Sequence, residues 1–211
     1  MPPSKKLFSE FYFKHLKQKG KIYMQINNNP SFGARRISIE MITKNATKNG
    51  KKTRKPMEAS FIKLNTNSFY DKKVLKTVSD KWGGSFAEDI YIDATNVFEK
   101  DTTKGGIYAI TTQKKGFTQV EPKKILGLIE LSLDMGNNMY IEYLQAKPQI
   151  INSPSRSISN IGKALISGIF REFKGSLITV APVNSKRVLH FYNKNGFKRS
   201  PEYRWIYEHQ A

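Results

Sequence analysis

The chain has 211 residues and no cysteine, which excludes disulfides, thiolate zinc sites and a cysteine nucleophile, and a reducing cytoplasm fits that composition. Its 36 Lys and Arg against 17 Asp and Glu leave a net charge of +19, which attracts polyanions, while no apolar run approaches the ~20 residues of a membrane span. At this length roughly 70% of the unfolded surface can be buried, enough for one domain with an extension.

The charge is uneven. Residues 1–60 hold 14 basic and 3 acidic side chains, whereas residues 61–211 hold 22 and 14. A division into a basic N-terminal extension, residues 1–58, and a main domain, residues 59–211, follows from this contrast; the extension either stands apart or packs on the main domain.

In chain order, a helix is expected over Ser9 to Lys17 and a turn at Asn27 to Pro30. Ile37, Ile39 and Met41 alternate as in a half-buried strand from Arg35 to Thr43. Residues 44–55 carry six cations and no apolar period, which reads as a flexible basic loop. Ser60 to Leu64 suits a strand, and Phe69, Lys73 or Val74, Val78 and Trp82 mark a helix that Gly83 and Gly84 stop. Between Asp89 and Asp101 no period stands out. Residues 107–113 and 125–133 then read as an antiparallel pair, and residues 139–148 as a third strand ended by Pro148. Ile161, Leu165, Ile169 and Phe173 line one helical face, closed by Gly175. SLITVAP, Ser176 to Pro182, reads as a short, continuously apolar strand of the kind buried on both faces. Asn184 or Ser185 can cap a second helix through Tyr192, ending at Asn195 and Gly196, and the remainder suits a hairpin.

This order of elements sets a helix N-terminus beside the end of an opened sheet. Ser157 to Gly162 would contribute backbone N–H groups where the macrodipole favours negative charge, and Gly162 has no side chain to obstruct an approaching phosphate.

Here the chain resembles the GNAT superfamily of acyl-CoA-dependent N-acyltransferases. The pyrophosphate loop of that family reads Gln or Arg, two residues, Gly, one residue, Gly or Ala; the matching stretch is Ser159, Asn160, Ile161, Gly162, Lys163 and Ala164, in which Ser159 departs from the pattern. VNSKRVLHFYNKNGF, residues 183–197, resembles the later motif, with a capping residue such as Asn184 and with Tyr192 where the family commonly protonates the departing thiolate. Leu144, Gln145 and Ala146 match the strand whose amides bond the pantetheine arm. The resemblance spans about residues 123–207 and implies an α/β fold of the α+β kind, with a mixed, mostly antiparallel central sheet flanked by helices.

It further implies an enzyme that moves an acetyl group from acetyl-CoA, as co-substrate, to an amine in a ternary complex. Positioning supplies much of the rate, and acid and base contribute typically ~10²–10⁴ each. Glu130 and Glu142, embedded in apolar strands, are candidate bases; each is equally explained by a side chain turned to solvent. Tyr192 is the candidate acid, its alternative being a packed core aromatic. Tyr140 and Tyr143 suit a sheet face or cleft wall. No metal is needed, and His15, His190 and His209 lack ligand spacing. Other readings remain: a nucleic-acid-binding protein, an acetyltransferase acting on a polyanionic acceptor such as tRNA, as some relatives including toxins do, or a non-catalytic acyl-CoA binder. The acceptor and the oligomeric state are not legible.

Overall fold

The computed structural model describes residues 33–48, 51–83, 86–96, 104–133, 138–153 and 155–211. The helix and turn expected before residue 31 lie outside them.

Strands β1 (Arg35–Lys48) and β2 (Lys51–Leu64) form a long hairpin, followed by helices α1 (Phe69–Trp82) and α2 (Phe86–Thr95). Three strands come next, β3 (Lys104–Thr111), β4 (Ile125–Leu133) and β5 (Met139–Ala146), then the short helix α3 (Pro148–Ile151). The chain continues through β6 (Ile158–Ser159), α4 (Ile161–Glu172), β7 (Leu177–Val180) and α5 (Lys186–Lys194), and finishes with β8 (Lys198–Arg199) and β9 (Tyr207–Gln210). All these strands lie in one sheet, ordered β6-β1-β2-β3-β4-β5-β7-β9-β8. Every pairing is antiparallel except β5 with β7, which is parallel. The expected mixed, mostly antiparallel sheet flanked by helices is present.

Because strand side chains alternate, the sheet carries a core on each face. Phe61, Tyr108, Ile129 and Leu131 pack with Leu165 and Ile169 of α4. Ile62, Ile107, Ala109 and Leu128 pack with Leu75 and Val78 of α1 and Ile90 of α2. Two glycines let α4 lie close to the sheet: a Cβ on Gly168 would stand 2.6 Å from the Phe61 ring, and one on Gly127 would stand 2.7 Å from Ile161. At its C-terminal end α4 is tied to β1 by Arg171 to the buried Glu40 at 3.1 Å and by Arg35 to Glu172 at 3.4 Å.

Helix α1 is capped by Ser68, and Asp71 in its first turn holds the chain that leads into it. The Ser68 hydroxyl accepts from the Asp71 N–H, and Asp71 Oδ2 accepts from the Asn65 N–H at 2.8 Å. Asp71 is fully buried and its Oδ1 has no hydrogen-bond partner, so burial pushes the carboxyl up to about 6 despite the Asn65 bond. A folded-state value above the unfolded one means that stability is greatest below pH 4 and falls as pH rises through 6. Asp71→Asn keeps the Asn65 acceptor and removes the titration. It is expected to match the parent at pH 4 and to exceed it by on the order of 1–2 kcal/mol at pH 8, read by urea denaturation at both values. An equal difference at both would refute the assignment.

Several expectations change. Residues 44–48 and 51–55 are strand rather than loop: β1 and β2 continue in register from Lys44↔Lys55 to Lys48↔Lys51. Backbone pairing orders these strand ends, in which none of the described side chains is fully buried. Strand β2 runs across the expected boundary at residue 58. Strand β7 alternates, with Ile178 and Val180 buried and Leu177 and Thr179 half-buried, so only one of its faces is fully covered. Ser185, not Asn184, caps α5, its hydroxyl accepting from the Val188 N–H at 3.2 Å.

Candidate functional site

The parallel pairing of β5 with β7 lasts three residue pairs, Met139↔Ile178, Tyr140↔Thr179 and Ile141↔Val180. Strand β7 then ends while β5 runs on to Ala146. From Glu142 to Ala146, β5 is therefore paired only with β4, and its other edge faces a wedge between the parted strands. Leu144, Gln145 and Ala146 lie half-buried along that edge. The parting begins at a bulge: Glu130 pairs with Tyr143 and Leu131 with Ile141, which leaves Glu142 as the extra residue.

The N-terminus of α4 lies against this wedge. The space a Cβ on Gly162 would occupy is bounded by the Phe191 ring at 3.0 Å and by Leu144 at 3.9 Å, so α4, α5 and β5 meet there. Phe191 fills the side direction at Gly162, whereas helical N–H groups point along the axis. The first recorded helical bond runs from the Ala164 N–H to the Asn160 carbonyl at 2.9 Å. Ile161, Gly162 and Lys163 precede it, so their N–H groups have no acceptor within the helix. The Ala164 N–H is already used in that bond, and its side chain is buried.

Ser159 and Asn160 hold the loop in place. Ser159 lies in β6 opposite Thr43 and accepts from the Asn45 side-chain amide at 3.3 Å. Asn160 adopts φ 65 and donates its side-chain amide to Thr43 Oγ1 at 2.9 Å, so it does not cap the helix. The first turn of α4 contains no acid and carries the exposed Lys163. A cation there opposes the helix dipole and suits an anion bound in front of it. Asn184 is exposed and lies outside the cap.

Next to Phe191 on α5, Tyr192 is buried at 6% exposure between Phe191 and Phe197, with ring centroids at 5.1 and 5.3 Å. Burial, with the Tyr140 phenol nearby, holds its hydroxyl well above the usual phenol range, so it stays protonated.

The two glutamates differ. Glu142 is exposed at the bulge and accepts from Ser132 Oγ at 2.6 Å. Glu130 is buried at 3% exposure, opposite Ile107 and Tyr143 in the sheet, and lines a cavity of about 260 Å³ with Arg35, Lys63 and Gly106. Around Tyr143 more carboxylates gather. Phe86 meets the Tyr143 ring at 5.5 Å, and Asp89 and Asp93 follow Phe86 on the same helical face. Burial first, and then Asp89, Asp93, Glu142 and Glu130, raise the Tyr143 hydroxyl above its ordinary range. The amide side chain of Gln145 turns from the wedge to accept from the Ala87 N–H at 2.8 Å, fastening β5 to the start of α2.

Helix α2 was not legible as an element, although Ala87, Ile90 and Ala94 recur at helical spacing and Glu88 and Asp89 favour a helix start. Asp89 and Asp93 were missed with it. Among the described residues no group of His, Asp and Glu is arranged to hold a metal ion, and no helix is long and apolar enough to cross a membrane.

No protein-family model matches the chain, and no curated protein sequence matches it. Among solved structures, a protein assigned as a streptothricin acetyltransferase from Bacillus anthracis str. Ames, in complex with acetyl coenzyme A, aligns at 14% identity and a TM-score of 0.33. The alignment covers 88% of this chain and 94% of that one. A likeness of that TM-score carries neither fold nor activity over to this protein.

Proposed function

We propose that this protein transfers an acyl group, acetyl in the simplest case, from a coenzyme A thioester to an amine. The observation that carries this reading is the parting of β5 from β7 beside the N-terminus of α4. An open strand edge offers amide and carbonyl groups to an extended chain that itself contains amides, as pantetheine does. The N–H groups of Ile161, Gly162 and Lys163 suit a pyrophosphate at the end of that chain. The residues present thus fit both parts of the coenzyme.

The thioester supplies an activated acyl carbon, on which the amine nitrogen forms a C–N bond as the C–S bond breaks. Tyr192 donates a proton to the departing sulfur. Its raised pKa keeps the phenol protonated, so an O–H donor is in place where negative charge develops on the sulfur. Glu142, at the bulge where the strands part, accepts the proton released by the amine. Glu130 lies deeper, opposite Tyr143, and together with Asp89 and Asp93 favours an acceptor that arrives as an ammonium ion.

Acetyl-CoA is expected to stabilise the protein by ~2.7 kcal/mol at one hundred times Kd, a rise of several degrees in Tm. Lys163→Glu gives opposite signs in two measurements. Without ligand it is expected to leave Tm equal or slightly higher, because the acid suits the helix dipole. With acetyl-CoA the shift should vanish, because a carboxylate then stands at the pyrophosphate. Release of free thiol with a panel of amines tests transfer itself. No shift for the parent protein at millimolar acetyl-CoA would defeat the proposal, and a shift without thiol release would leave a coenzyme A binder.

A further inference from the structure

The hairpin of β1 and β2 extends beyond the sheet that anchors it. Strand β6 pairs with β1 only at Thr43 and Lys44, and β3 pairs with β2 only from Ser60 to Leu64. Asn45 is still held by the Ser157 carbonyl, which accepts from its N–H at 2.7 Å, and the three further pairs, from Ala46↔Thr53 to Lys48↔Lys51, have no third strand beside them among the described residues. At ~3.3 Å per residue they make a two-stranded ribbon reaching about 10 Å past its support.

Its side chains are chosen for charge. Residues 44–55 contain six cations and no acid, and Lys44, Lys51, Arg54 and Lys55 are all exposed. The register pair Lys44↔Lys55 sets like charges directly opposite one another, and the backbone register also pairs Lys48 with Lys51. Such pairs weaken a hairpin, whereas Lys opposite Thr or Glu would solubilise it without that cost. The repulsion is relieved when closely spaced anions lie across the ribbon. Between Lys44 and Pro56 there is no Trp, Phe, Leu or Ile to enter a bilayer, so the ribbon suits a polyanion in water rather than a membrane surface.

We infer that this ribbon binds nucleic acid through its phosphodiester backbone. A two-stranded ribbon matches the width of the DNA major groove, and cations on both of its faces can reach phosphates on either side. The sequence of residues 44–55 carries no recognised base-reading motif, so binding is independent of sequence and dominated by counterion release. This surface is separate from the acyl-transfer reading and does not depend on it.

The test uses the full chain, in which the six lysines before residue 33 remain common to every variant. Fluorescence anisotropy is measured against duplex DNA, a folded RNA of tRNA size and a single-stranded oligonucleotide, across ~50–200 mM salt. In the test variant Lys44, Lys51, Arg54 and Lys55 become Thr, which retains strand propensity. A control variant changes Lys73, Lys114, Lys115 and Lys194, all exposed elsewhere, to Gln. Binding by the parent is expected to fall steeply with salt, by about 0.9 log units in affinity per tenfold salt for each duplex phosphate engaged. The ribbon variant should lose about three such units of slope and at least tenfold in affinity at 100 mM salt, with Tm and the acetyl-CoA shift unchanged. The control should change either slope by less than one unit. The preferred ligand among the three identifies the class of nucleic acid. Equal slopes in all three proteins would overturn the inference. So would stronger binding to anionic phosphatidylserine vesicles than to every nucleic acid, or loss of the acetyl-CoA shift without loss of nucleic-acid binding.

Discussion

Gly168→Val is expected to unfold much of the protein at 37 °C, and Gly168→Ala to destabilise it despite a helix propensity that favours alanine by ~1 kcal/mol. The reason is local. A Cβ at this position would stand 2.6, 2.7 and 2.8 Å from three atoms of the Phe61 ring, a separation that real contacts do not sustain. Phe61 is fully buried and has little room to retreat, because its ring stacks on Tyr108 at 5.3 Å and Tyr108 in turn meets the Phe173 ring edge-on at 6.0 Å. Overpacking of this kind typically costs ~1–3 kcal/mol for one added group, and valine adds three. Urea denaturation should therefore show a loss of about 1–3 kcal/mol for Ala and more for Val. Phe61→Leu, itself destabilising, should recover part of the loss when combined with Gly168→Ala, giving a coupling energy that additive damage would not produce. An alanine variant as stable as the parent would refute this close contact of α4 with β2.

What could be read from the sequence was whatever burial writes as a period. Strand β4 occupies residues 125–133 as expected, because its alternating side chains serve two cores at once, and α4 shows its apolar face at Ile161, Leu165 and Ile169 for the same reason. The features that decide the site leave no such trace. Glu130 and Glu142 both look like acids in apolar strands; a bulge, which depends on pairing between β4 and β5, makes one a buried neighbour of Tyr143 and the other an exposed residue at the wedge. Ser159 departs from the Gln or Arg of the loop pattern it resembles, and its hydroxyl is taken by Asn45, 114 residues earlier. No spacing rule reports a partner at that distance. The basic ribbon failed as a loop expectation because its order comes from main-chain pairing between β1 and β2, and main-chain bonds have no composition.

Tyr192→Phe is expected to lower kcat about 10²-fold while changing the KM for acetyl-CoA by less than about twofold, given the proposed transfer reaction. The substitution removes one hydroxyl and keeps the ring, so the edge-on contacts with Phe191 and Phe197 persist and stability should stay within about 1 kcal/mol. A change in packing would reach the coenzyme as well, because Phe191 also lies against Gly162 at the start of α4. It would then raise KM together with lowering kcat. Loss of a proton donor instead leaves binding intact and makes the rate depend on how readily sulfur departs. The distinguishing measurement is therefore a series of acetyl thioesters whose thiols grow more acidic: the defect of the phenylalanine variant should shrink along the series, since a stable thiolate needs no proton. If kcat is unaffected with acetyl-CoA, or the defect stays constant across the series, Tyr192 belongs to the core between α5 and β9 and the acid must be sought elsewhere in the wedge.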